Sequence, residues 1–307
     1  MAMRLVGPLL LVWVLWRFGD FQALGSTFKR ASLWPLLAAI VLDAGVIHAK
    51  LVRWQSLLGA CKVRVGTAEA YRAYLPSLFL GLATPGRVGD LVRIQYLKRD
   101  HGVRYPEGLA VSVVDRLCDV YVLLAFVSLG IVHMSNAISA PLARIAWLAV
   151  AGVAVAPFVL FMPGVAEPVA SWLYARVAGA DASDGPAAFF DALRSQMGGA
   201  LVVPVATTAI AFLLNYLQAW LVASSLGFGL AFADVVAVVS VSSLLGLLPI
   251  SVSGVGVREA FFALVFPVAF GLSETMGIAF GLGVFGVIYL PALAVGFIAW
   301  QAWPPSS

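Results

Sequence analysis

The stretch Leu75-Pro76-Ser77-Leu78-Phe79-Leu80-Gly81-Leu82-Ala83-Thr84-Pro85-Gly86-Arg87-Val88-Gly89-Asp90-Leu91-Val92-Arg93 decides how this chain is arranged. Leu75 to Ala83 is an apolar run, whereas Thr84 to Asp90 cannot continue a regular helix. Residues 50–72 carry five basic side chains (Lys50, Arg53, Lys62, Arg64, Arg72) against one acid, Glu69. Residues 98–107 carry Lys98, Arg99 and Arg104 with Asp100 and Glu107. The positive-inside rule puts both flanks on the cytoplasmic side. A segment with both ends on one side cannot cross once, so this stretch reads as a broken or re-entrant helix pair. Irregular backbone at membrane depth is tolerated only where protein buries it or where it lines a wet cavity. The break is therefore expected to face an interior space, with Thr84 capping a new helix that has Pro85 in its first turn.

Composition agrees with a membrane reading. Of 307 residues, 62% are hydrophobic and 11% are charged, where soluble domains carry about 25% charged residues, and mean hydropathy is +0.99. This excludes a cytosolic enzyme, a nucleic-acid-binding module and a disordered regulator. At about 20 apolar residues per crossing the length allows roughly seven to nine membrane segments. Apolar runs place spans near 5–24, 33–50, 108–133, 141–162, 198–226, 231–250 and 276–302. Met1 to Trp16 resembles a signal peptide but reads better as an uncleaved first span with a cytoplasmic N-terminus. Trp13, Trp16, Trp34, Trp54, Trp300 and Trp303 fall near span ends, as interfacial belts do. Basic residues concentrate early: residues 1–153 hold 16 Lys and Arg against 8 acids, and residues 154–307 hold 3 against 7. Cys61 and Cys118 have no metal or redox spacing, and His48, His101 and His133 are too dispersed for a metal triad. No metal site and no nucleotide or other cofactor is read from the chain.

A related pattern returns in the second half, from Leu244 through Pro249, Gly254 and Gly256 to Arg258 and Glu259. Pro/Gly-interrupted hydrophobic segments in corresponding positions of two halves point to a transporter's binding site. The expected fold is therefore all-α. It is a single polytopic domain over 1–307, with two re-entrant or broken helices related by an internal repeat whose motifs span 75–95 and 244–262.

These motifs resemble the lysylphosphatidylglycerol synthase transmembrane-region family of flippase-like membrane proteins. Its first motif, P-x-R-x-G-[DE]-x-x-R, is matched by Pro85, Arg87, Gly89, Asp90 and Arg93. Its D-R-x-x-D pattern is matched by Asp115, Arg116 and Asp119, and its P-x-x-x-G-G-x-G-x-R-E by Pro249, Gly254, Gly256, Arg258 and Glu259, with Ser253 replacing the first paired glycine. The resemblance implies a multi-pass protein of the bacterial or archaeal cytoplasmic membrane that moves a lipid or lipid-linked headgroup between leaflets. In bifunctional members a cytosolic aminoacyltransferase domain follows. The chain ends at Ser307, so aminoacyl transfer is not carried over and the substrate stays open among aminoacyl phospholipids, polyprenyl-phosphate sugars and related glycolipids. Membrane lipids are the expected partners, with room for a separately encoded lipid-modifying enzyme, and no nucleic acid is expected.

A helix begun near Pro85 would set Arg87, Asp90 and Arg93 within an arc of about 120°. Guanidinium groups offer planar bidentate donors to a phosphate, and Asp90 could orient them. Free amides around Gly86 would add positive partial charge. The competing reading makes Arg93 an interfacial anchor beside Lys98 and Arg99. Arg258 and Glu259, beside Gly254 and Gly256, repeat this logic as headgroup contacts. Alternatively they form a gating network, Arg258 with Asp90 and Arg87 with Glu259. Asp115, Arg116 and Asp119 read as a supporting ion cluster; the D-G-x-x-A-R stretch of metal-dependent phosphoalcohol transferases is missing upstream. Asp43, mid-span, could carry a coupling proton or simply sit neutral in a cavity. Three functions stay in view: a lipid flippase-like transporter that is not an enzyme, an integral membrane enzyme acting on lipid phosphates, and a lipid-binding accessory subunit.

Overall fold

The protein was analysed as a computed structural model, which describes residues 3–135, 140–160, 168, 185–247 and 254–304. Among them every regular element is helical. The expected span at 5–24 divides into α1 (Met3–Phe18) and α2 (Phe21–Lys29), because Asp20 Oδ1 accepts the Gln22 and Ala23 N–H groups at 2.9 and 3.0 Å and starts a new helix. The expected stop at residue 50 is also corrected. Helix α3 runs Leu33–Ala60, carrying Lys50 and Arg53 inside it and leaving only 61–66 as the connection to α4 (Thr67–Ala83). A 3₁₀ segment over Pro85–Leu91 leads into α5 (Val92–His101), then α6 (Tyr105–His133) and α7 (Ala140–Leu160).

Further along lie α8 (Gly185–Ser195), α9 (Val202–Ser225), α10 (Phe232–Leu245) and α11 (Val257–Phe270). Helix α12 (Glu274–Val284) continues through a π turn at Phe285–Tyr289 into α13 (Leu290–Ala302). Of the charged 163–197 connection, residue 168 and residues 185 onward are described; Gly185–Ser195 packs on α6. Three helical stretches among the described residues are long and apolar enough to cross a membrane: Leu33–Ala60, Gly198–Ser225 and Glu274–Ala302. Pro8–Phe18, Ala143–Val159 and Phe232–Leu245 are shorter apolar helices.

Helix α3 packs most extensively on α9, α4 on α13, α6 on α10 and α11 on α12. Two cores result. One joins Ala39 at the start of α3 to α9–α12, where Phe262, Phe266 and Phe280 are fully buried. The other joins Leu51, Trp54, Leu57 and Leu58, at the far end of α3, to α4, α5 and the first half of α6. Trp54 thus lies wholly inside the protein, not in an interfacial belt, whereas Trp16 and Trp34 are largely exposed. The stretch of α3 between the cores, residues 43–50, lines a cavity.

The first break departs from the regular helix expected after Pro85. Gly86 and Arg87 are left-handed (φ 64° and 57°), so the chain turns tightly through 3₁₀ geometry before α5 begins. Thr84 makes no side-chain cap to the first turn but ties the break together: its hydroxyl donates to Leu80 O at 2.7 Å and accepts the Gly89 N–H at 2.9 Å. The turn folds back onto α4 closely enough that a Cβ on Gly89 would lie 2.2 Å from the Leu80 carbonyl. Gly277, which with Gly281 forms a G-x-x-x-G pair, meets α11 as tightly, with its would-be Cβ 2.3 Å from Phe262 O. Residues 248–253, including Pro249, lie outside the described residues; Gly254 and Gly256 beyond them are again left-handed (φ 75° and 84°).

These contacts set opposite expectations for two glycine substitutions. Gly89→Ala should lower the thermal midpoint of the purified protein, with a cost of about 1–3 kcal/mol for forcing backbone segments apart. Gly59→Ala in α3, where a Cβ meets nothing within 4 Å, should leave it unchanged or raise it slightly, by up to about 1 kcal/mol of helix propensity. Equal melting of the two variants would contradict the close approach at Gly89.

Candidate functional site

Asp115 in α6 is fully buried, and its charge is held by arginines from two other helices. Arg53 of α3 places Nε 2.6 Å from Oδ1, and Arg93 of α5 places Nη2 2.7 Å from Oδ2. One turn along α6, Asp119 takes Arg53 Nη1 at 2.5 Å. Arg53 also donates to Thr208 Oγ1 at 3.1 Å, which ties in α9. Arg93 is 1% exposed, with the Trp54 and Tyr74 ring centres 5.7 and 5.9 Å from its guanidinium. Both arginines are therefore consumed by packing and ion pairing.

Arg116 has a different position. Its guanidinium reaches Asp90 and Asp115 at 3.1 Å and Asp119 at 3.3 Å, yet its side chain stays 35% exposed. Arg87, 32% exposed, sits with Nε 4.0 Å from Asp90 Oδ2. Arg87 and Arg116 line a cavity of about 250 Å³ together with Lys50, Asp119 and Arg258. Apolar wall comes from Leu78, Leu82, Leu123 and Phe212. Thr84 and Gly86 of the first break and Gly246 and Leu247, just before the second, also border it. The Arg258 guanidinium lies 4.3 Å from the Tyr289 ring centre.

The charges around this space do not cancel. Arg53, Arg87, Arg93 and Arg116 face Asp90, Asp115 and Asp119, and Lys50 and Arg258 add two cations where Asp43 adds one acid. Four of the six cations border the cavity itself. Buried charge in excess is costly unless a counter-charge or water meets it. The arrangement therefore suits an anion with an apolar attachment.

The residues singled out from sequence separate into groups. Arg87 and Arg258 border the cavity, and Asp90 lies behind them, bracing Arg87 and Arg116. Arg93 does not line the cavity, being 1% exposed against Asp115. Glu259 is 1% exposed and accepts the Gly256 N–H at 2.6 Å, closing the first turn of α11. Asp90 is ion-paired to Arg87 and Arg116, so the cross-repeat pairs Arg258–Asp90 and Arg87–Glu259 are not formed among the described residues. Asp115, Arg116 and Asp119 do form one ion cluster. His48 turns from Asp43 to bond the Tyr71 hydroxyl at 2.8 Å. Sequence reasoning missed Lys50 and Arg53 by assigning them to a cytoplasmic loop. The signal was present: Leu51, Trp54, Leu57 and Leu58 continue helical apolar spacing past both, and the two acids of α6 required more cations than Arg116 alone.

A family model described as "Lysylphosphatidylglycerol synthase TM region" matches residues 2–296. Comparison with curated proteins and with solved structures gave no match.

Removing the shared acid should be severe. Asp115→Ala leaves Arg53 and Arg93 buried without it, an expected loss of about 3–5 kcal/mol. The loss should be read as a large drop in the melting midpoint or as no monodisperse protein. Arg194→Ala, breaking the exposed 3.4 Å pair with Asp191, should change stability by less than about 1 kcal/mol. A mild Asp115→Ala phenotype would show that the network does not hold α3, α5 and α6 together.

Proposed function

Because the chain belongs to the lysylphosphatidylglycerol synthase transmembrane-region family, we propose that it is a lipid flippase-like transporter. Its cavity would hold the phosphate-bearing headgroup of a phospholipid or lipid-linked sugar during passage between leaflets. Family membership supports a role with membrane lipids. The observation that carries the finer reading is the cavity bordered by the first helix break and by Gly246, Leu247 and Arg258, where Arg87, Arg116, Arg258 and Lys50 meet an apolar wall.

In this reading the two breaks are re-entrant segments of an internal repeat. Left-handed Gly86 and Arg87 on one side, and Gly254 and Gly256 on the other, turn the chain beside the cavity. The cavity matches a headgroup in size, not a whole lipid, so acyl chains would lie outside it among the helices. Arg87 and Arg116 approach the phosphate, while Asp90, Asp115 and Asp119 hold Arg116 in register. Arg258 meets the headgroup from the second break. Asp115 and Asp119 accept from Arg53, Arg93 and Arg116, which occupies the oxygens a metal-dependent transferase would need. This supports transport over chemistry on the lipid. The basic flanks of α4 and α5 support a cytoplasmic orientation for their side of the protein in a bacterial or archaeal membrane, and a separately encoded lipid-modifying enzyme would supply the substrate.

Reconstituted protein should accelerate leaflet exchange of fluorescent phosphatidylglycerol in liposomes, read by dithionite quenching. Arg87→Ala and Arg258→Ala should each slow exchange at least about tenfold, equivalent to about 1.4 kcal/mol of lost headgroup interaction, while melting near the parent. Full activity in both variants would remove these residues from the site. Chemical conversion of the lipid, seen by mass spectrometry, would replace transport with an enzymatic function.

A further inference from the structure

Asp43 borders the same cavity but belongs to none of the ion pairs described above. It is 7% exposed and lies on α3 about 10 Å, two turns, from Lys50. Its neighbour across the α3–α9 interface is Gln218, fully buried, whose Nε2 donates to Ala39 O and to Asp43 Oδ1, both at 2.8 Å. The bond to Ala39 O fixes which end of the amide is the donor. Oδ1 is therefore the acceptor and Oδ2 is left over. Oδ2 is buried and has no hydrogen-bond partner among the described residues, and neither has Oδ1 of Asn215, which borders the cavity as well. A carboxylate oxygen in such a place lacks a donor, and a proton on Oδ2 removes the buried charge and turns that oxygen into a donor.

We propose that Asp43 is a proton-binding site of the cavity, and that proton binding there and anionic headgroup binding beside the arginines favour each other. The linkage rests on the headgroup reading above; the proton site itself does not. Its basis is Coulombic: an anion entering the cavity lowers the potential at Asp43, and a proton on Asp43 removes a negative charge of the lining that would repel the anion. Coupling of this kind is reciprocal by thermodynamic necessity. The groups facing Asp43 are few. Lys50 shares its helix, Arg87 comes from the 3₁₀ segment, Arg116 and Asp119 from α6, and Arg258 from α11, with the phenols of Tyr74 and Tyr289 at the wall. Helix α9 presents the uncharged Asn215 and Gln218. The arginines do not titrate, and Asp119 is clamped by Arg53 and Arg116. Asp43 and Lys50 are left as the ionisable lining groups outside the ion-pair network among the described residues. Gln218 is the positioning residue: it orients the carboxyl and leaves Oδ2 to exchange its proton with the cavity.

The test uses the full-length purified protein and glycerophosphoglycerol, a water-soluble phosphodiester that stays singly charged throughout. Affinity is measured calorimetrically across the physiological pH range, in buffers of different ionisation heat, so that protons taken up on binding are counted. The parent protein should bind with proton uptake and lose up to about tenfold in affinity per pH unit as Asp43 gives up its proton. Asp43→Asn, which keeps the Gln218 bond, should bind without pH dependence or proton uptake. Lys50→Arg should retain both. Infrared difference spectra of ligand-free protein should show a protonated-carboxyl band in the parent that is missing from Asp43→Asn. Persistence of pH dependence and proton uptake in Asp43→Asn, or an unchanged infrared band, would overturn the proposal. So would sodium dependence at fixed pH with no pH dependence, which would make the ion a metal cation. Failure of the phosphodiester to bind at any pH would remove the headgroup reading and the linkage, and the infrared band alone would then decide whether Asp43 carries a proton.

Discussion

One carboxylate, Asp115, governs the arrangement of the first half of this protein. It has no solvent to stabilise it and takes guanidinium groups from α3 and α5 as well as from its own helix. Each arginine in turn needs the carboxylate, because an unpaired buried charge costs more than any single apolar contact supplies. The three helices are therefore fixed relative to one another by electrostatic necessity, and Thr208 extends the constraint to α9 through Arg53. Apolar packing fills in around this arrangement. Trp54 and Tyr74 close over Arg93 and shield it from competing water.

The same network separates arginines that are buried in the fold from those that line the cavity. Arg53 and Arg93 have every reason to stay where they are. Arg116 is held at three carboxylates yet keeps a third of its side chain open, which makes it a rigid donor with spare capacity. Arg87 adopts a left-handed backbone that a non-glycine residue adopts only at a cost. Its neighbours impose this: Arg87 N–H bonds to Thr84 O at 3.1 Å, and Gly89 is pressed against α4. The backbone strain places a guanidinium at the cavity, beside the acid that braces Arg116.

Much of this was legible in the sequence, and the exceptions have physical causes. The break at Thr84–Asp90 could be read because proline and spaced glycines interrupt an apolar run between two basic flanks. The all-helical class followed from hydropathy alone. The regular helix drawn from Pro85 was not found, because spacing rules assume α geometry and Gly86–Arg87 do not supply it. The arc joining Arg87, Asp90 and Arg93 disappears with it, and Arg93 turns to Asp115 instead. Arg53 was hidden for another reason: a charge-counting rule treats every arginine near a span end as solvated, although helical spacing of Leu51, Trp54 and Leu58 marked it as interior. Glu259 looked like half of a ligand pair and serves a helix end, a role its position three residues after Gly256 already permits.

The surplus of positive charge around the cavity follows from the same economy of acids. Three aspartates satisfy four arginines in the first half, and the second half contributes Arg258 while its nearest acid, Glu259, is turned away into the helix cap. Among the described residues that line the cavity, cations outnumber acids, and water or an entering anion can offset the difference. A site neutral in itself would bind an anion weakly, whereas one with many unbraced cations would hold it too firmly to release. Bracing Arg116 with three carboxylates tempers its pull, and leaving Arg87 at 4.0 Å from Asp90 keeps it adjustable. Asp43, in the same space but outside the network, is positioned to change the balance by one charge without disturbing the contacts that hold the helices together.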